Sequence, residues 1–322
     1  MRLAVHSINV EQYQPHWLHT REATWRQSNC YVDLWIEILS SLKLNPVASF
    51  GFTLNIDFEG DQWTFFKVPL VDLYTLYGID VQELTIWHAV LEHIITQVQR
   101  DRLVLMEVDA FYLPDVADTS YRQEHEKTTI GIQMIDPEER LLGYFHNSGY
   151  YTLSGEDFDG IFQASLLPPY AEFAKFDRVV RRSEQELGTM ALCLLDTYLQ
   201  NRPQQNPFIA YSHNFEQHCT ELADLDTFHK YAFASMRQFG ASYEYVSIFL
   251  KWLTEEHGAG LGEAAEHFAA IAETAQVLLM KTARTVKTGK LLKAQPLLQT
   301  MQEHWDQGMT SLAVTRQQVR NF

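Results

Sequence analysis

Cysteine is scarce in this chain, with three in 322 residues, at positions 30, 193 and 219. So small, odd and widely spaced a set excludes a disulfide framework and suits a reducing compartment, which makes a cytoplasmic protein the expectation. Long apolar runs are missing too. No stretch approaches the roughly 20 residues that span a bilayer, and the N-terminus lacks the basic and then apolar pattern of an export signal, so no membrane partner is expected. Positive charge is in short supply: 25 Lys and Arg against 41 Asp and Glu leave a formal charge of -16. The first 160 residues hold 24 of the acidic side chains and only 10 of the basic ones. Such a surface repels nucleic acid phosphates and receives an amine-bearing small molecule better. There is no fixed-period repeat or low-complexity tract. The histidines near the N-terminus (His6, His16, His19) have no Cys or carboxylate at ligand spacing, and His213, His218, Cys219 and His229 sit on expected helices without ligand geometry, so no metal is expected. The glycine-rich run from Gly258 to Gly262 follows a helix rather than a strand, which speaks against a nucleotide loop.

What is present is a globular composition, 46% hydrophobic and 20% charged, with two textures. Up to Gly160 strands and helices mix; beyond it amphipathic helical stretches follow one another around 170–200, 213–236, 242–257, 262–288 and 291–307, with breaks at Leu167-Pro168-Pro169 and Asn201–Pro207. Two domains are expected, 1–160 and 161–322. The first is organised around Trp25–Lys43. Tyr31, Leu34, Trp35, Ile38, Leu39 and Leu42 repeat with helical spacing, and Asn29 is a good N-cap. The helix therefore begins at Cys30, which puts a thiol in the first turn, where free N–H groups and the positive end of the helix dipole favour the thiolate.

Further on, Asp72–Gln99 reads as two helices separated at Gly78-Ile79-Asp80. Leu103–Leu113 reads as a buried strand ended by Pro114. Lys127–Ile135 and Leu141–Asn147 form a hairpin through Asp136-Pro137-Glu138-Glu139. Antiparallel pairing brings His125, just ahead of the first strand, and Asn147, at the end of the second, to one sheet edge, while alternation turns His146 to the opposite face. An imidazole held at one nitrogen by an Asn side chain has its other nitrogen free to take a proton from a thiol.

The Asn29-Cys30 helix start, the strand Val108-Asp-Ala-Phe-Tyr-Leu-Pro114, the His125-x-x-Thr-Thr-Ile-Gly-Ile strand and the closing Tyr144-Phe-His-Asn147 together resemble the BtrH-type acyltransferases. These are members of the papain-like group that also contains the double-glycine leader peptidases. The whole chain is also similar to a bacterial family of unknown function that shares this half and adds a helical one. The resemblance implies an α+β fold: a papain-like cysteine domain, built from an N-terminal helix and an antiparallel sheet, followed by an all-α domain. It implies Cys30 as nucleophile, His125 as base and Asn147 as its orienter, with Gln27 or Asn29 as oxyanion donor beside the Cys30 amide. It further implies an acyl or aminoacyl group passed from the phosphopantetheine arm of an acyl carrier protein, through a Cys30 thioester, to an amine or hydroxyl acceptor. No cofactor would be bound by the chain itself.

Asp57, Glu59, Asp61 and Asp109, together with Tyr112, are candidates for holding an ammonium group of substrate or acceptor. Lys281, Arg284, Lys287 and Lys290 recur every three residues in an otherwise acidic protein and are candidates for docking the acidic carrier. Two other readings are open. A cysteine peptidase, amidase or thioesterase would use the same triad with water as acceptor, and a non-catalytic binding protein would keep Cys30 as packing.

Overall fold

In a computed structural model the described residues are 1–163, 168–289 and 292–320. The chain divides into two compact units. The first comprises Met1–Arg21, Asn29–Pro46 and Pro69–Arg181; the second comprises Glu22–Ser28, Val47–Val68 and the chain from Arg182 onward.

The first unit is α+β. Its elements in order are β1 (Leu3–Ala4), α1 (Trp17–Thr20), α2 (Cys30–Ser41), α3 (Leu70–Tyr77), β2 (Asp80–Glu83), α4 (Val90–Val98), β3 (Arg102–Asp109), β4 (Lys127–Asp136), β5 (Leu141–His146), β6 (Gly149–Ser154), α5 (Glu156–Phe162) and β7 (Ala171–Lys175). The seven strands form one antiparallel sheet in the order β2-β7-β3-β4-β5-β6, with β1 added against β4. Leu103 to Met106 are all buried, as a central strand covered on both faces requires.

Helix α2 covers one face. A Cβ on Gly131 of β4 would lie 3.0 Å from Leu34 and 3.4 Å from Ile38, so the glycine is what lets the helix sit close to the sheet. The other face carries a hydrophobic core cluster, where Val104, Met106, Ile130, Ile132 and Tyr144 meet Ile94 and Val98 of α4 and Phe158 of α5. The N-terminal segment is tied to α2 by a buried polar cluster. His19 Nδ1 lies 2.5 Å from Glu37 and Nε2 lies 3.5 Å from Asp33, while the Tyr13 hydroxyl donates to Glu37. Burial alone would lower the His19 pKa, but its bonds to Asp33 and Glu37 raise it to about 9.

The second unit is helical: α6 (Glu184–Gln200), α7 (Pro207–Glu221), α8 (Leu225–Ala234), α9 (Met236–His257), α10 (Gly262–Thr288) and α11 (Gln295–Arg320). Its helices begin where the caps demand. Ser183 and Glu186 form a capping box for α6, Asn206 caps α7 ahead of Pro207, and Asp224 caps α8. Left-handed glycines at 258 and 289 end α9 and α10. Trp25 packs here, its ring against Gly240, where a Cβ would stand 2.5 Å away, and its Nε1 donates to the Ala272 carbonyl at 3.0 Å.

Several elements differ from the sequence-based expectation. Residues 80–83 form an edge strand rather than the start of a helix, because left-handed Gly78 ends α3. β7 lies beyond residue 160, and the first unit runs on to Arg181. The 213–236 stretch is two helices, α7 and α8, split at Ala223 and Asp224. The expected break at Leu167-Pro168-Pro169 begins outside the described residues.

Candidate active site

Three of the residues singled out above, Cys30, Asp109 and His125, belong to the same end of the first unit. Alternation settles the face. Gly131 lies under α2 and is paired with Leu105; stepping by two, Glu107 pairs with Thr129 and Asp109 with Lys127, so all of these project toward the α2 side. The end of the sheet follows from the course of the helix. Leu42, at the C-terminus of α2, lines a cleft with Arg100 and Arg102 at the start of β3. Tyr31, in the first turn, donates from its hydroxyl to Glu172 at 2.8 Å, and Glu172 is paired with Leu105 further along β3. Cys30 is one residue beyond Tyr31, toward Asp109, and its side chain is partly exposed.

Asp109 ends β3 and has two tasks. Its Oδ1 accepts the Phe111 N–H at 3.1 Å, and its Oδ2 binds His125 Nδ1 at 2.6 Å. Since a carboxylate accepts, Nδ1 is the donor, and in the neutral ring Nε2 presents its lone pair. The His125 ring also stacks on Phe111, with centroids 4.4 Å apart and planes 13° apart. The loop between them is anchored by Arg122 and Tyr121, which donate to Asp157 of α5 at 2.5 and 3.0 Å. His125 is thus a well-oriented imidazole with its side chain 70% exposed. No hydrogen bond joins it to Cys30 among the described residues.

The remaining sequence-based candidates are placed elsewhere. Asn147 does not orient His125: it takes a left-handed φ of 45° in the tight turn where His146 pairs with Gly149, a conformation Asn tolerates well. Asn29 is the N-cap of α2, accepting the Val32 N–H at 3.0 Å. Gln27 belongs to the second unit, where its backbone carbonyl accepts from Arg237 at 3.3 Å. Asp57, Glu59 and Asp61 also belong to that unit, on a loop closed by the Phe58–Trp63 bridge; Asp57 accepts the N–H of Phe58, and burial raises its pKa. Tyr112 packs flat on Gly160 of α5, where any Cβ would stand 2.1 Å from its ring. Lys281, Arg284 and Lys287 are exposed on α10, beside the residues Leu279, Ala283 and Val286 that pack against Phe228. Lys290 lies outside the described residues.

A second histidine–carboxylate pair was not visible as such in the sequence. His146 Nδ1 lies 2.6 Å from Asp115 Oδ2, its Nε2 2.9 Å from Thr128 Oγ1, and Tyr144 donates to Asp115 Oδ1 at 2.6 Å. Burial and Asp115 hold the Tyr144 hydroxyl protonated. By alternation these side chains face the core side of the sheet, so the sheet itself separates them from α2. The other cysteines differ from Cys30 in setting: Cys193 is exposed on α6, and burial followed by nearby Glu216 pushes the Cys219 thiol up to about 11.

A mixed α+β unit carrying an oriented imidazole and a thiol at a helix start, followed by a helical unit, defines a two-part chain. It belongs to the DUF1839 family: a model described as the DUF1839 N-terminal domain matches residues 14–176, and one described as the DUF1839 C-terminal domain matches residues 184–314. No curated protein matches it. Among the described residues no helix is long and apolar enough to cross a membrane.

Proposed function

We propose that this protein is a thiol acyltransferase that carries its acyl group as a thioester on Cys30, with His125 as the base and Asp109 in place of Asn147 as the residue that orients it. The observation that carries this reading is the Asp109–His125 pair on the sheet face covered by α2, at the end toward which the first turn of that helix is directed. Helix, sheet and imidazole in this relation suit the papain-like arrangement; contact between Sγ and Nε2 is part of the proposal, and such contacts often tighten only when substrate is bound.

In the first step Nε2 takes the Cys30 proton and Sγ bonds to the carbonyl carbon of a phosphopantetheine thioester. The leaving thiolate then recovers the proton from His125. In the second step an amine attacks the Cys30 thioester, His125 takes its proton, and Cys30 returns as the free thiol. Thioester exchange leaves bond energies nearly balanced, so the protein contributes positioning and stabilisation of the oxyanion by N–H groups at the start of α2. The exposed cations of α10 suit docking of an acidic carrier protein as donor.

Intact-mass measurement after incubation with an acyl-charged carrier protein tests this. The expected result is one acyl adduct that is absent from Cys30→Ala and discharges faster when an amine acceptor is added. Discharge at the same rate without amine would make the protein a hydrolase, and no adduct on the wild type would reject covalent catalysis altogether.

A further inference from the structure

Away from this site, α10 and α11 run antiparallel and approach closely at Gly308. A Cβ there would stand 3.1 Å from Phe268 and 3.2 Å from His267 Cβ. The close approach brings His267 and His304 together with their Nδ1 atoms 3.0 Å apart and ring centroids at 5.3 Å. Two imidazole nitrogens each about 2.0–2.1 Å from one ion stand about 2.8–3.4 Å apart for ligand angles between 90° and 109°, so this spacing already matches a chelate. Both residues are half-buried on long helices. At this distance one Nδ1 donates to the other, and burial followed by the His267 charge lowers the His304 pKa. Neutral imidazole is the ligand form. Glu263, one turn before His267 and bonded by Ser311 at 2.8 Å, and Glu303, next to His304, are exposed carboxylates that add negative potential.

We propose that His267 and His304 form a two-imidazole clamp for a late first-row divalent metal ion, with water in its other positions. The proton now shared between the Nδ1 atoms moves to Nε2, where it meets solvent, and both Nδ1 lone pairs turn to the ion. Imidazole nitrogen suits Zn2+, Ni2+ and Cu2+, and no thiolate is needed. Among the described residues no group of three or more His, Cys, Asp and Glu side chains could hold a metal, so the clamp is a two-residue site of modest affinity.

The test uses the full chain and Ni2+, which spares the three free thiols the oxidation that Cu2+ causes. Calorimetry is expected to give one equivalent bound, with affinity at least tenfold weaker in His304→Ala and in His267→Ala. Paramagnetic broadening of backbone amide signals in wild-type protein is expected to centre on residues 263–271 and 300–311. That second reading needs no variant to fold. Binding unchanged in both variants, or broadening centred on another histidine such as His88 or His93, would overturn the clamp, as would no binding at all.

Discussion

Two histidine–aspartate pairs in the first unit share the same 2.6 Å bond to Nδ1 and almost nothing else. In the Asp109–His125 pair the side chains are 70% and 35% exposed, counting the histidine first; in the His146–Asp115 pair they are 2% and 3% exposed. In the buried pair both ring nitrogens and both carboxylate oxygens have a partner, with Thr128 on one side and Tyr144 on the other. It is a fixed piece of the core. The exposed pair is oriented at Nδ1 and bare at Nε2, which is what proton transfer requires. The bond alone does not distinguish function from structure; what surrounds the second nitrogen does.

The contrast can be broken most directly at the buried pair. His146→Ala would leave Asp115 a buried charge and strand Thr128, a loss of about 3–5 kcal/mol, whereas His125→Ala should stay within about 0.5 kcal/mol of wild type. Chemical denaturation of the two variants checks this, and equal losses would erase the distinction. A third histidine, His19, extends the comparison because it is buried between two carboxylates. Its pKa is raised from 6.5 to about 9. Its stabilisation is therefore complete below pH 6.5 and is lost as pH rises through about 9, on the order of 3 kcal/mol in all. Urea midpoints measured from pH 6 to 10 should fall across that window, and His19→Gln should flatten the fall. Asp109→Asn should leave stability nearly unchanged while slowing Cys30 acylation on the order of 10²-fold in a single-turnover assay. Smallest of all, Lys287→Glu should weaken carrier binding by about threefold at low salt, with the difference fading at high salt.

How much of this was legible in the sequence depended on how local the signal was. The α2 helix, its Asn29 cap and the β4–β5 hairpin were readable because period and cap lie within a few residues of each other. β2 and β7 were not. Each is short, and β7 carries a buried Glu172 whose partner Tyr31 comes from α2. His125 was readable at the sheet edge, but its partner was not: Asn147 lies across a short-looped hairpin from it, yet its position is fixed by the needs of the turn. Asp109 reaches His125 because β3 and β4 pair in the register Asp109 with Lys127, and register across a connection of that length leaves no trace in the residue order. His267 and His304 met for the same kind of reason, through the helix approach at Gly308.

The central claim is that His125 activates the thiol of Cys30. Iodoacetamide labelling across pH, resolved by peptide mass mapping so that Cys193 and Cys219 serve as internal references, measures it. Cys30 is expected to label with a midpoint well below the roughly 8.5 of an ordinary thiol, moving upward in His125→Ala. An ordinary midpoint that the variant leaves in place would contradict it.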